Sequence, residues 1–288
     1  MNAPFPVGAS TPGGVAVRTL RYFVRVPLLL WHLLVHLPLV VLTLALPVHG
    51  VRVEGGTPAH RAIRAWSAGL MWIFGFRLQR VGTPLPGAAL FVANHVSWID
   101  ITALHSQRMM GFVAKREIAD WPVVGWLAGR AETIFHRRGS TESMGGVVHT
   151  MLDRLREGRA VGVFPEGGAT SGGHHVGPFH ARIFMAAVEA GVPVQPVALV
   201  YGDGGAAQPV VAFADGETFM GNFLRLLGEP PRSATLHFLE PIVHGAADGR
   251  RRIAEIARGR IVEAFGAIAA TRSLPAHAVD DTPVDARP

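Results

Sequence analysis

The residues best suited to chemistry lie in Asn94-His95-Val96-Ser97-Trp98-Ile99-Asp100, directly after the apolar run Ala88 to Ala93. A neutral imidazole can take the proton of an alcohol, while a carboxylate on its other nitrogen fixes the tautomer and stabilises the imidazolium that forms. His95 and Asp100 supply such a pair only if the chain bends between them. Residues five apart on an ideal helix stand roughly 140° apart around its axis. Ala88 to Ala93 reads as a buried strand, and Ser97 followed by Asp100 three residues on resembles a helix-start signal. His95 then occupies the strand-to-helix corner, and Asp100 reaches back to it from the first helical turn. Taken alone, the spacing also fits an Asp100 that merely caps a helix.

Three further segments bear on that choice: Thr133-Ile134-Phe135-His136-Arg137-Arg138, then Phe164-Pro165-Glu166-Gly167 after the apolar run Ala160 to Val163, then Val192-Pro193-Val194-Gln195-Pro196-Val197. With the first segment they match, in order, the patterns NHxSxxD, a stretch ending F-x-x-R, FPEG and VPxxPV. Over about residues 85 to 245 the chain therefore resembles the glycerolipid acyltransferases of the bacterial 1-acylglycerol-3-phosphate acyltransferase type. The resemblance implies an α/β fold, a mixed sheet flanked by helices, with an N-terminal membrane-associated helical segment. It implies acyl transfer from acyl-CoA or acyl-ACP to the free hydroxyl of a lysophospholipid, with 1-acylglycerol-3-phosphate ranked first. His95 and Asp100 are then the catalytic pair, and Arg138, Glu166, Gly167 and Lys115 are substrate-binding positions. No metal is implied, and no cofactor besides the acyl-CoA or acyl-ACP co-substrate. Amides at the helix start or near Gly167 are the expected oxyanion donors.

Two departures concern the acceptor. The best-known lysophosphatidate enzymes continue FPEG with T-R-S, whereas this chain continues Gly168-Ala169-Thr170-Ser171-Gly172-Gly173 and lacks that arginine. In this it looks more like relatives that include lyso-ornithine lipid acyltransferases, the alternative reading. Lys115, Arg116, His174, His175 or Arg182 are candidate substitutes. The family's glycine ahead of the second motif is replaced by Glu132.

Composition bounds the partners. The chain has 288 residues, a formal charge of +6, 49% apolar residues and no cysteine, so neither disulfides nor thiolate metal sites exist. A basic chain suits an anionic partner, and the positive mean hydropathy of +0.29 points to membrane lipid. The basic residues are scattered, which argues against nucleic acid. No Walker pattern and no Gly-x-Ser-x-Gly elbow occur. His174, His175 and His180 lack a zinc spacing. A lipid-binding membrane protein without activity is the rival of another class. Oligomeric state is not legible.

The elements that position these motifs divide the chain into four parts. Residues 1-17 read as a flexible leader, 18-81 as membrane-anchoring helices, 82-272 as the acyltransferase domain and 273-288 as a disordered tail. Val26 to Val48 runs 23 residues without Asp, Glu, Lys or Arg, matching the roughly 20 residues needed to cross a bilayer. Pro38, His32 and His36 interrupt it, so a re-entrant segment is equally compatible. Arg18, Arg21 and Arg25 precede it and Arg52 follows, so charge does not choose an orientation. The expected place is the cell inner membrane, with the active site on the cytoplasmic side. Ala65 to Phe76 reads as an interfacial helix or as a core helix, with Trp66 and Trp72 at its surface and Arg61, Arg64, Arg77 and Arg80 near headgroups.

Beyond the turn-rich linker Gly82 to Gly87, strands are expected at Ala89 to Ala93, Gly111 to Ala114, Thr133 to Phe135, Ala160 to Phe164, Val194 to Tyr201, Val210 to Phe213 and Ala234 to Leu239. Helices are expected at Ser140 to Glu157 and Phe179 to Ala190. Arg250 to Arg272 is expected to close the domain as an amphipathic helix, or to lie on anionic lipid. Gly202-Asp203-Gly204-Gly205 reads as a turn.

Overall fold

The computed structural model describes residues 12–45, 57–121, 124–137, 141–169, 175–243 and 249–273. Its strands are β1 (Phe76–Val81), β2 (Leu90–Ala93), β3 (Gly111–Lys115), β4 (Ile134–His136), β5 (Val161–Val163), β6 (Val194–Tyr201) and β7 (Arg232–Phe238). They form one sheet in the order β1-β7-β6-β2-β5-β3-β4, and neighbours run parallel except β6 and β7. The helices are α1 (Pro12–Trp31), α2 (Leu37–Ala45), α3 (Pro58–Ile73), α4 (Ile99–Gln107), α5 (Val124–Arg130), α6 (Thr141–Arg156), α7 (Met185–Ala190), α8 (Gln208–Val211), α9 (Phe219–Gly228) and α10 (Arg250–Ser273).

Strand β2 lies at the centre, and both of its faces are covered. Leu90 and Val92 join the core beneath α6, α7 and α10, with Met151, Leu155, Phe184, Ile253 and Ala257. Phe91 and Ala93 join the opposite core, with Met71, Phe74, Ile99, Leu104 and Leu227 from the α3, α4 and α9 side. This period-two division explains why the segment reads as an unbroken apolar run. The expected mixed sheet flanked by helices is the one found. Because β2, β3, β4, β5 and β6 are mutually parallel, their carboxyl ends share one edge, the edge where open α/β sheets bind ligands.

Several boundaries differ from expectation. The first helix begins at Pro12, so residues 12–17 of the expected leader are helical, and residues 1–11 and 274–288 lie outside the described part. Helix continues from α1 to α2 through a π-turn at His32–His36, where Leu37 N–H reaches back to His32 O. Pro38 supplies the cause: it lacks an N–H, and its ring would collide with the carbonyl four residues earlier, which a wider turn avoids. Gly14–Leu44 contains an 18-residue window with a mean hydropathy of 2.0 and is long and apolar enough to cross a membrane by length and composition. Two of its polar groups turn toward the domain. Arg25 and His32 are buried, whereas Leu20, Phe23, Trp31 and Leu34 are exposed.

Helix α3 starts at a Thr57 cap with Pro58 in its first turn and buries Leu70, Met71 and Ile73. It is therefore a helix of the domain core, with Trp72 turned outward at 66% exposure. Phe76–Val81, assigned in part to that helix, is instead an edge strand parallel to β7, so Arg77 and Arg80 belong to a strand. The run at Val210 to Phe213 is not a strand. Pro209 cannot donate to a ladder, β6 already has partners on both sides, and α8 forms there. The expected helix from Phe179 starts later, as a 3-10 turn at Ala181–Phe184 leading into α7. Helix α10 closes the domain, burying Ile253, Ala257, Ile261 and Phe265.

Candidate active site

The corner between β2 and α4 brings His95 and Asp100 together. His95 Nδ1 lies 2.8 Å from Asp100 Oδ2. The same oxygen accepts Val96 N–H at 2.6 Å and Ser97 N–H at 2.9 Å. Asp100 Oδ1 accepts the Tyr201 hydroxyl at 2.6 Å. Asp100 is fully buried, while the His95 side chain retains 19% exposure. A buried carboxylate with four donors is well satisfied, and it directs Nδ1–H of His95 toward itself, which makes Nε2 the basic nitrogen. Ser97 plays only half of the expected capping exchange. Its amide is taken by Asp100, but its hydroxyl donates to Asn222 Oδ1 at 3.2 Å.

The corner is held from both neighbouring strands. Asn94 side chain and Leu199 backbone exchange two hydrogen bonds, 3.1 and 2.8 Å, imitating one more rung of the β2–β6 ladder. On the other side Phe164, just past β5, stacks on the His95 ring with centroids 4.1 Å apart. Glu166 then receives His95 N–H at 2.9 Å on one oxygen and Gly177 N–H at 2.8 Å on the other. Burial raises its carboxyl above the usual range, opposed by those two amides. Glu166 is thus engaged with backbone. Arg258 of α10 extends the chain of contacts by donating to the Val176 and Gly177 carbonyls, 2.8 Å each.

Gly167 has φ of +78° and stands where a Cβ would meet the His180 ring at 3.2 Å, so a turn and a close neighbour both require glycine. Its amide donates to Phe164 O at 3.2 Å. Three of the amides near the expected oxyanion position are occupied: Val96 and Ser97 serve Asp100, and Gly167 closes a turn. Lys115 ends β3 at the same sheet edge and is exposed. Arg138, His174 and the segment Thr170 to Gly173 lie outside the described residues. Glu132 adopts φ of +62°, a left-handed conformation suited to the glycine it replaces. It lies 4.0 Å from Arg154 and 3.7 Å from Arg159, contacts that glycine would lack.

Reading the sequence alone missed Tyr201 and Asn222. Burial and the Asp100 charge push the Tyr201 hydroxyl well above its ordinary range, which keeps it a donor. Its one visible signal is a phenol at the end of a strand that is apolar apart from Gln195. Asn222, on α9, also accepts Trp98 Nε1–H at 3.0 Å and donates to Ala212 O and Glu217 Oε2, each at 3.0 Å.

Glu217 is gripped by Arg225 through two bonds of 2.7 and 2.8 Å, and this pairing holds its carboxyl at about 2. Because the folded value is depressed, the pair stabilises the fold above the unfolded carboxyl range. That contribution is lost as pH falls from about 4.5 toward 2. The stability gap between wild type and Glu217→Gln, measured by urea unfolding, should accordingly be largest near neutrality and close in that window. An unchanged gap at low pH would rule the pair out as its source.

The acyltransferase family model matches residues 78–200, the span that contains this corner, β5 and all of β6 but Tyr201. A lyso-ornithine lipid O-acyltransferase of Pseudomonas aeruginosa is 36% identical over 214 residues, covering 74% of this chain and 82% of that protein. The chain belongs to the acyltransferase family. A 1-acyl-sn-glycerol-3-phosphate acyltransferase of Neisseria gonorrhoeae is 37% identical over 156 residues, or 52% of this chain and 60% of that protein. The crystal structure of a 1-acyl-sn-glycerophosphate acyltransferase, PlsC, from Thermotoga maritima superposes with a TM-score of 0.63. It covers 88% of this chain and 96% of that one at 20% identity, a likeness of fold. In this acyltransferase the carboxyl ends of β2, β4 and β5 carry Asn94 to Asp100, His136 and Phe164 to Gly167, whereas Val192 to Val197 opens β6 at the far end. There Gln195 ties the linker by accepting Leu85 N–H at 2.8 Å and donating to Thr83 O at 3.0 Å.

Proposed function

We propose that the protein moves a fatty acyl group from acyl-CoA or acyl-ACP to the free hydroxyl of a lysolipid, with His95 as general base and Asp100 as its partner. The observation that carries this reading is the 2.8 Å contact between a partly exposed imidazole and a fully buried, four-donor carboxylate. Nε2 of His95 takes the hydroxyl proton as the oxygen forms the new ester bond. The thioester C–S bond breaks, and the imidazolium returns the proton to the leaving thiolate. No acyl-enzyme forms, and the step as written uses no metal or redox group. The outward apolar face of α1 supports seating in a membrane, and we propose the cell inner membrane with the site on the cytoplasmic side, where acyl thioesters occur.

For the acceptor we favour lyso-ornithine lipid over 1-acylglycerol-3-phosphate, reversing the order expected from the resemblance. Two observations support the reversal: no arginine follows Gly167, and the lyso-ornithine relative is matched over 82% of its length against 60% for the lysophosphatidate relative. A phosphate dianion entering a partly dry pocket needs compensating cations, and Arg138 is the motif's candidate. Membranes carrying the protein, given both lysolipids and one labelled acyl thioester, should yield more labelled ornithine lipid than phosphatidic acid by mass spectrometry. Arg138→Ala should raise KM for the phosphate acceptor about 10-fold, the loss of one charge-assisted contact, and change the ornithine acceptor less. Preferential labelling of phosphatidic acid would restore the original ranking.

A further inference from the structure

We propose that Asn222 is a positioning residue for acyl transfer, fixing the Ser97–Trp98 turn from α9 so that the Val96 and Ser97 amides point at Asp100. The inference rests on His95 and Asp100 being the reacting pair. Asn222 is completely buried, and its amide has one workable orientation. The Trp98 indole N–H can only donate, so the atom facing Trp98 and Ser97 is Oδ1. Nδ2 then meets Ala212 O and Glu217 Oε2, both acceptors, and Arg225 locks Glu217 in turn.

Two side chains of one turn therefore converge on a single oxygen, 125 and 124 residues away in sequence. The turn they belong to carries the two amides that Asp100 accepts. Packing adds to the restraint. The Trp98 ring sits among Phe74, Phe219 and Phe223 at centroid distances of 5.3, 5.6 and 5.3 Å. The carboxyl end of α9 also holds the apolar N-terminal helix. Arg21 donates to Gly228 O, Tyr22 to Leu224 O, and Arg25 to Leu227 O and Glu229 O, at 2.7 to 3.2 Å. One short helix thus ties the segment facing the membrane to the turn that aims Asp100.

The test is Asn222→Ala in the full-length chain, assayed in membranes with labelled acyl-CoA and whichever lysolipid the wild type accepts. A shifted turn should lower kcat about 10- to 100-fold, as small misplacements do, while KM stays within about 2-fold. The acid limb of the kcat/KM profile should move to higher pH, because a carboxylate with weaker donors holds the imidazolium more tightly. Among the described residues, the ionisable groups bonded to the pair, Tyr201 from β6 and Glu166 from the loop after β5, are untouched by the change. A general loss of folded protein would scale the profile and leave the limb in place. Trp98→Phe, which removes one donor to Oδ1 but keeps an aromatic ring, should give a smaller shift in the same direction, and it decides the matter if Asn222→Ala does not fold. An unmoved limb in the folded variants overturns the proposal. A wild type inactive toward both lysolipids would instead overturn the functional reading.

Discussion

His95→Ala should lower turnover about 100- to 10,000-fold, the range for a positioned general base, while the protein still folds and reaches membranes. The fold should survive because the ring is partly exposed and the other contacts of the corner remain. Its backbone N–H still meets Glu166, and Asp100 still accepts Val96, Ser97 and Tyr201. KM for the lysolipid should change little, since the imidazole works mainly as the proton moves. Near-normal turnover would remove His95 from the mechanism.

Asp100→Asn should fold yet react about 100-fold more slowly or worse, and Asp100→Ala should lose the fold as well. The four donors around this side chain explain the contrast. An amide at this position can set its oxygen toward Val96, Ser97 and His95, and its NH2 toward Tyr201, whose hydroxyl can rotate to accept. The tautomer of His95 is then kept. What disappears is the negative charge 2.8 Å from the imidazolium that forms during transfer. Alanine leaves two amides and a phenol buried without an acceptor, at about 1 to 3 kcal/mol each. Thermal unfolding and single-turnover rates on both variants separate the two effects, and an asparagine variant as fast as wild type would show that the charge is not needed.

How far this site was legible in the sequence follows from distance along the chain. The His95–Asp100 corner closes within six residues after an apolar run, so strand, bend and helix start were all readable from local pattern. Tyr201 and Asn222 reach the same corner from 101 and 125 residues away, and only the strand order that puts β6 beside β2 brings Tyr201 there. Glu166 was recognised by type, but its partners are backbone amides, which leave no mark in a motif. The edge strand β1 alternates Phe76, Leu78 and Val81 with polar residues imperfectly, and the apolar helix before it absorbed its first residue. Val210 to Phe213 shows the reverse error: a short apolar run fits strand and helix equally, and Pro209 with a fully paired β6 selects the helix.

Direct transfer from thioester to lysolipid under His95 is tested most closely by mass spectrometry of lipid and intact protein together, during turnover with one labelled acyl thioester and a lysolipid acceptor. The label should accumulate in the diacyl lipid with wild type and never on the protein chain, and His95→Ala should nearly abolish the lipid product. Label covalently held by the protein, or diacyl lipid formed undiminished by His95→Ala, would contradict it.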